Sequence, residues 1–362
     1  MNFWVLWGLT ITASAQTGEV LSLRVSEEMT PAGGVAQVKV SMTEPKPIVR
    51  SSFFESFDDA YFGDFLGISA AGQTGVAQYR NDKLRLELSS PGPVLPPNDY
   101  PMVTIAVTTN PLLATGRIAA VSLDLAQSAW IGADGLAYLE EAKTGSVTIG
   151  GSFYISDVIP GGGTIPAGGR YRVLGRGFTS DLRARAEDSK LVSVSPTEFV
   201  MEAKKAMQLD GLRITADQGK ERVTYFSYLR GVPMAPSAHP ALQNMKPVFS
   251  TEVARTATAA LLPEEGMVNA IGLQNPTASA GEIRLGAYSL FGEKLAEAIV
   301  LLPGRQELLR TAEELFDRAL PVGTASLRAD SATAFRLTVA QVSADGASIT
   351  VPAVVVLQPS SY

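Results

Sequence analysis

Hydrophobic and polar residues alternate with a period of two along much of the chain. The runs at 36–42, 83–88 and 102–107 (AQVKVSM, KLRLEL and MVTIAV) show this pattern most clearly. Such alternation places one face of a strand on a core and the other face in water. Glycine and proline clusters, such as those at 91–93 and 96–99, separate the runs at short intervals. Many short strands divided by turn residues are typical of β-sandwiches, so the sequence predicts an all-β fold.

The chain is long enough for several such sandwiches, because 362 residues exceed what one small sandwich needs. The pattern divides it into a first unit at 19–150, a second unit at 151–231 and a third unit at 247–358. Between the second and third units, residues 232–246 (VPMAPSAHPALQNMK) contain three prolines and little periodicity. This composition predicts a proline-rich linker, and the whole chain is predicted to be three tandem β-sandwich domains.

One segment departs from the period of two. Between residues 305 and 319 the apolar positions fall at helical spacing, with charged residues between them. The pattern predicts an amphipathic helix over 305–319, bounded by Pro303-Gly304 and Pro321. Its expected role is to close one end of the third sandwich, and a partner-binding helix is the alternative.

The N-terminal 15 residues have the pattern of a signal peptide. An apolar run of about nine residues at 3–11 (FWVLWGLTI) is followed by Ala13-Ser14-Ala15. The run is too short to span a bilayer, which needs about 20 residues. No Lys or Arg precedes it, so a wrongly assigned start or a buried strand is the alternative. We expect cleavage near Ala15 and a secreted or cell-surface protein without a transmembrane segment.

The first unit resembles the cohesin domains of the carbohydrate-binding-domain superfamily. The segments that carry the resemblance are TPAGGV (30–35) before the strand at 36–42, FDDAY (57–61), LRLEL (84–88), GRIAAVSL (116–123), DGLAY (134–138) and TGSVTI (144–149). The resemblance implies a module that docks to a partner protein, with a link to the breakdown of extracellular polysaccharide. The proline-rich stretch at 91–101 departs from the family pattern and puts the usual docking face in doubt.

The second unit is similar to IPT/TIG domains, which have an immunoglobulin-like fold. The similarity rests on ISDVIP (155–160), AGG (167–169) and YRVLGRGF (171–178). The glycines permit the backbone of tight turns, and Phe178 is expected to plug the sandwich edge. The third unit, with GLQNP at 272–276, resembles C-terminal sandwiches of secreted bacterial proteins, and this resemblance implies no activity.

Composition argues against several classes of chemistry. The chain has no cysteine, and its single histidine, His239, lies in the predicted linker. A Ser–His–Asp triad or a histidine-based metal site would therefore have to form on an irregular segment. The glycine runs at 161–163 and 175–177 lack the rest of a nucleotide-binding motif. A net charge of −6 without a basic cluster argues against nucleic-acid binding. We predict a protein that is not an enzyme and needs no cofactor.

One segment combines carboxylates with aromatic residues and is the candidate site. It holds four acidic residues, Glu55, Asp58, Asp59 and Asp64, and four aromatic ones, Phe57, Tyr61, Phe62 and Phe65. A pair of these carboxylates could hydrolyse a glycoside. Their oxygen atoms could also bind calcium, although the spacing of an EF-hand loop is not present. Removal of Trp4 and Trp7 with a signal peptide would leave Trp130 as the one tryptophan, which weakens glycan binding.

We therefore interpret this segment as an exposed patch for protein recognition, because buried aromatic anchors contribute much of the energy at protein interfaces. The predicted binding residues are Asp58, Asp59, Tyr61, Phe62 and Asp64. A mixed loop with its aromatic residues partly in the core is the structural alternative. The partner is expected to be an extracellular protein or polysaccharide. A purely structural surface or matrix protein and a polysaccharide hydrolase are the competing hypotheses.

Overall fold

The computed structural model describes residues 16–80, 83–96, 100–261 and 264–360, so the predicted signal peptide at 1–15 lies outside the described residues. The described chain is almost entirely β, as the alternation predicts. No helix in these ranges is long and apolar enough to cross a membrane.

Twelve strands build the first unit. They are β1 (Gln16–Val25), β2 (Glu27–Thr30), β3 (Val35–Met42), β4 (Ile48–Ser56), β5 (Phe62–Ala70), β6 (Thr74–Arg80), β7 (Lys83–Val94), β8 (Val103–Thr109), β9 (Ile118–Leu123), β10 (Ala129–Gly132), β11 (Ala137–Lys143) and β12 (Gly145–Ile149). One layer runs β11-β1-β3-β8-β5, and the other contains β9-β4-β7-β6. Alternate side chains of both layers, such as Val38, Phe53, Leu86 and Ile105, meet in a common core and are fully buried.

Nine strands form the second unit. They are β13 (Tyr154–Ile159), β14 (Thr164–Ile165), β15 (Arg170–Arg176), β16 (Arg183–Ala186), β17 (Ser189–Ser195), β18 (Glu198–Ala203), β19 (Met207–Gln208), β20 (Arg213–Gln218) and β21 (Glu221–Phe226). The sheets β13-β15-β18-β17 and β16-β20-β21 enclose an aromatic core. Phe178 lies in that core, 5.1 Å from the ring of Phe199. A Cβ at Gly175 would lie only 2.0 Å from the carbonyl oxygen of Tyr154, so the close strand contact requires glycine there.

The remaining elements are β22 (Val232–Pro233), β23 (Met245–Val248), β24 (Ala254–Ala260), β25 (Met267–Gln274), β26 (Gly281–Ser289), β27 (Lys294–Leu302), β28 (Gln306–Thr311), α1 (Ala312–Phe316), β29 (Thr324–Ser343), β30 (Ile349–Thr350) and β31 (Val354–Pro359). The third unit has two sheets, β31-β24-β29-β26-β27 and β28-β25-β29-β30, and the long strand β29 belongs to both. Its core includes Leu273, Leu285, Leu327 and Phe335.

The predicted helix over 305–319 is wrong for most of its length. Residues 306–311 form β28, which pairs with β25, and only Ala312–Phe316 is helical. Thr311 accepts a hydrogen bond from Glu314 N (3.1 Å) and caps the helix, which ends at Asp317 in the left-handed conformation. The spacing of apolar residues resembles that of one helix because Leu308, on a strand, and Phe316, on a short helix, both pack in the same core.

The predicted linker is packed structure rather than irregular chain. Val232–Pro233 pairs with β28, and residues 240–242 form a short 3-10 turn whose start is capped by His239 Nδ1 (3.2 Å to Ala241 N). Strand β23 then pairs with β6 of the first unit. The connecting segment at 232–246 therefore contacts the third unit through β22 and the first unit through β23.

The three units pack against one another. Between the first and second units, Gln37 Nε2 donates to Phe226 O (2.9 Å), and Phe226 N donates to Gln37 Oε1 (2.8 Å). This contact covers the face of β3 that alternation predicts to be in water, so Gln37 and Lys39 are only 4% and 8% exposed. Thr338 Oγ1 of the third unit donates to Gly75 O of the first (3.0 Å). Second and third units meet through Asp210 and Arg336.

Candidate functional site

The three units meet around an internal opening that we call the junction cavity. It has a volume of about 210 Å³ and is lined by parts of β5 and β28, by 228–231 at the end of the second unit and by the connecting segment. A more open groove of about 490 Å³, the junction groove, lies beside it between β5, β6 and β23. Leu66, Ile68, Arg230, Met245 and Lys246 line both spaces, so the two are adjacent.

A buried ion pair forms one wall of the cavity. Arg336 on β29 and Asp210 of the second unit lie 3.1 Å apart, and their side chains are 4% and 1% exposed. Arg336 also donates to Gln274 Oε1 (3.0 Å) and to Thr251 O (3.2 Å). Buried charges are stable only when they are paired and hydrogen-bonded, and both conditions are met here.

Glu307 at the start of β28 places a carboxyl group at the cavity. Its Oε2 accepts a hydrogen bond from Gln274 Nε2 (2.9 Å), and Gln274 also donates to Leu229 O (3.3 Å). Burial raises the pKa of Glu307, while Gln274, Lys246, the backbone of Gly231 and Arg230 oppose that rise. The close approach needs a glycine, because a Cβ at Gly231 would lie 2.2 Å from Oε2.

Two cationic side chains stand between the cavity and the groove. Lys246 on β23 donates a hydrogen bond from Nζ to Phe65 O, and burial lowers its pKa. Arg230 is exposed and forms no ion pair with any described residue. Asp64 on β5 lines the same groove and opposes the fall in the pKa of Lys246. The groove thus presents both signs of charge on strands that are anchored in sheets.

The acidic members of the predicted patch lie at or near this groove. Asp64 is exposed on its wall, and its backbone N–H donates to Thr108 Oγ1 (2.9 Å). Asp59 accepts a hydrogen bond from the hydroxyl of Tyr79, another wall residue. Asp58 is exposed in the turn before β5, where its Oδ1 accepts from Ala60 N (2.8 Å).

The aromatic members of the patch are not surface anchors. Phe62 is 5% exposed, and its ring lies 5.2 Å edge-on from Phe57 in the first core, so its expected exposure is wrong. Tyr61 is half-buried and packs against that core. Phe62 is the first residue of β5 and points to the buried face of the strand, and Tyr61 precedes it in the turn. The alternative of a mixed segment with core aromatics describes this part of the chain.

Glu55 and Trp130 lie apart from the other candidates. Both are fully buried in the first core, and Trp130 stacks on Phe53 at 5.0 Å. Neither carboxylate oxygen of Glu55 accepts a hydrogen bond from a described residue, and burial raises its pKa to about 8. Alternation along β4 explains the position, since Ser51, Phe53 and Glu55 are its successive buried residues.

Sequence reasoning missed Arg230, Lys246 and Glu307. Two of them border or fall within the predicted linker, and the third falls within the predicted helix. A pair of basic residues flanking the proline-rich segment was the available signal. Among the described residues, no group of three or more His, Cys, Asp or Glu is arranged to hold a metal ion.

Comparison with known proteins finds similarity in solved structures. No protein-family model and no curated protein matches the chain. A cohesin from Clostridium acetobutylicum is 16% identical, with 37% of this chain and 94% of that chain covered and a TM-score of 0.32. The sixth cohesin of Acetivibrio cellulolyticus scaffoldin B, solved with a Cel5 dockerin, is 14% identical, with 37% and 100% covered and a TM-score of 0.31.

A non-cellulosomal cohesin from the archaeon Archaeoglobus fulgidus is 14% identical, with 36% and 91% covered and a TM-score of 0.29. All three of these solved domains are cohesins. The similarity extends over about a third of the chain.

Proposed function

We propose that the protein is a non-enzymatic binding module of the cell exterior, and that its junction groove takes a segment of a partner protein. The observation that carries this proposal is that Asp64, Arg230 and Lys246 together line an open groove of about 490 Å³. Charges of both signs on a rigid wall select a partner with the complementary pattern and steer its approach.

The groove is more accessible to a partner than the neighbouring outer face of β3. The second unit covers the outer face of β3, where Gln37 bonds to Phe226. Leu66 of β5 also packs against the second core. At the β5 end of this layer, Gly63 and Asp64 are exposed and border the groove. A partner that binds at this end approaches the edge of the sheet.

A protein suits the groove better than a polysaccharide. Sugar rings stack on flat aromatic faces, and Trp130 is fully buried. The ring of Tyr79 is tilted against Phe65 with the centroids 4.7 Å apart, so Phe65 covers part of its surface. Side-chain charges and backbone groups of a peptide fit the groove's mixture of Asp64, Arg230 and Lys246.

The arrangement of carboxyl groups supports a binding function over hydrolysis. A glycosidase needs two carboxyl groups that face each other across the scissile bond. Glu55 is fully buried under the first sandwich, whereas Asp58 is exposed in the following turn. Glu55 therefore offers no carboxyl group to a substrate that reaches Asp58.

Export and the second unit complete the proposal. Cleavage near Ala15 would deliver the chain outside the cytoplasm, and the cohesin-like sequence of the first unit implies a protein partner there. The second unit, with its IPT/TIG-like sequence, is followed by residues 228–231, which line the cavity, and Arg230 among them also lines the groove.

Charge reversal in the groove tests the proposal. The full-length mature chain is used to capture partners from culture supernatant, and the affinity of each identified protein is measured by calorimetry. We expect Asp64→Lys and Arg230→Glu each to weaken binding at least tenfold, while the exposed control Glu293→Lys leaves it unchanged. Equal binding by all variants would refute the groove as the site. A specific glycan-array hit would assign polysaccharide instead, and the absence of any saturable ligand would favour a structural matrix protein.

A further inference from the structure

The junction cavity has features of a ligand-binding site that are separate from those of the groove. Its volume of about 210 Å³ exceeds the roughly 150 Å³ that holds a benzene molecule in an engineered protein cavity. Much of its wall is apolar and includes Met234, Met245 and Phe249. Thioether sulfurs and phenyl edges make favourable contacts with aromatic rings, so these walls suit an aromatic guest.

A second observation concerns the hydroxyl group of Tyr228. The side chain lines the cavity, is 8% exposed and forms no hydrogen bond with any described residue. The hydroxyl oxygen lies against Gly67, where a Cβ would be 2.9 Å away. Because no described residue bonds to this hydroxyl group, it is available to exchange a hydrogen bond with a ligand in the cavity.

The charges at the cavity favour a neutral ligand. Glu307 would repel an anion, whereas Lys246 and Arg230 would repel a cation. Glu307 accepts hydrogen bonds from Gln274 Nε2 and from the backbone of Gly231, and its two carboxyl oxygens together offer further acceptor positions. A neutral hydroxyl group can donate to this carboxyl group and exchange a hydrogen bond with Tyr228.

We propose that the junction cavity binds a phenol group, supplied by a tyrosine side chain of the partner that docks in the adjacent groove. The ring enters between Met234, Met245 and Phe249, and the hydroxyl group reaches Tyr228 and Glu307. A buried tyrosine anchor of this kind concentrates binding energy at the centre of an interface. This inference rests on the proposed function for the origin of the tyrosine, but the cavity's preference can be measured without any partner.

The test uses p-cresol as the probe and toluene and 4-methylbenzoate as matched analogues. Each is titrated into the full-length mature chain by calorimetry, with NMR shifts as a second readout. We expect saturable 1:1 binding of p-cresol at least fivefold tighter than that of either analogue. Tyr228→Phe should reduce the affinity for p-cresol to that for toluene and leave the affinity for toluene unchanged. Met234→Trp should abolish binding by filling the cavity, whereas Val322→Trp at a fully exposed position should not.

The outcomes separate this inference from the proposed function. No saturable binding of p-cresol, or a preference that survives Tyr228→Phe, would overturn the phenol site. If Met234→Trp does not fold, the Tyr228→Phe comparison still decides. Loss of partner binding in Asp64→Lys without competition by p-cresol would support the groove and refute the tyrosine anchor.

Discussion

Glu55, which is fully buried, and Glu307, which is partly buried, show how differently two glutamates of one protein are surrounded. Glu55 lies in the core of the first sandwich without a hydrogen-bond partner, whereas Glu307 at the junction is bonded to Gln274 and faces Lys246 and Arg230. Burial raises the pKa of both carboxyl groups. Burial alone therefore does not identify a site; the convergence of partners and open space at Glu307 does.

The difference follows from what surrounds each position. Glu55 belongs to one sandwich, where strand alternation points it at phenylalanine and tryptophan side chains. Glu307 lies where three units meet, and their surfaces bring polar groups from distant parts of the sequence. Interfaces between units leave openings that a single well-packed core does not. The following predictions test this comparison.

The largest effect is expected at the junction's ion pair. Arg336→Met removes the cation and leaves the buried carboxylate of Asp210 without it, which costs about 3–5 kcal/mol in the free energy of unfolding. Urea denaturation of the mature chain measures this loss. The control is Arg328→Met, whose pair with Asp330 is 47% and 41% exposed and is worth no more than about 1 kcal/mol. Losses of similar size would mean that the junction holds its charges no more tightly than the surface does.

Next in size is the pH dependence that Glu55 confers. Its pKa is about 8 in the folded chain and 4.5 in the unfolded chain. The stabilising contribution of the protonated group is fully present below pH 4.5 and is lost as the pH rises through 8, with a slope of up to about 1.4 kcal/mol per pH unit. Glu55→Gln should remove this component of the slope when unfolding is measured at pH 5.5, 7 and 8.5. If the pH dependence of the free energy of unfolding of Glu55→Gln equals that of the unaltered chain and of the exposed control Glu293→Gln, Glu55 has a partner.

The smallest effect is the most direct contrast between the two glutamates. Glu55→Met removes an unpaired buried group and should stabilise the chain by about 1–3 kcal/mol at pH 7. Glu307→Met leaves the donor of Gln274 without that acceptor and should destabilise the chain by about 1–2 kcal/mol. Thermal and urea unfolding of both variants give the signs. If the free energy of unfolding changes in the same direction in both variants, the proposed difference between Glu55 and Glu307 is wrong.

Local patterns predicted much of the fold and only part of the site. The runs at 36–42 and 83–88 lie in strands β3 and β7, because alternation is a local property of the chain. The prediction of a helix over 305–319 was wrong because its apolar residues are spaced as in a helix, whereas most of the segment is a strand paired with β25. Both arrangements place these apolar residues in one core. Asp64 was predicted from its acidic side chain and lies exposed on the groove wall, but Phe62 was misplaced because composition does not tell which way a ring points.

The sequence by itself determined that strands dominate this protein and that neither cysteine nor a second histidine is available for chemistry. The tertiary structure alone decided that Gln37 is covered, that the connecting segment joins the first unit through β23, and that Asp210 meets Arg336. The physical reason is that side-chain alternation depends on near neighbours along the chain. Contact with water, in contrast, depends on which distant surface packs against each face.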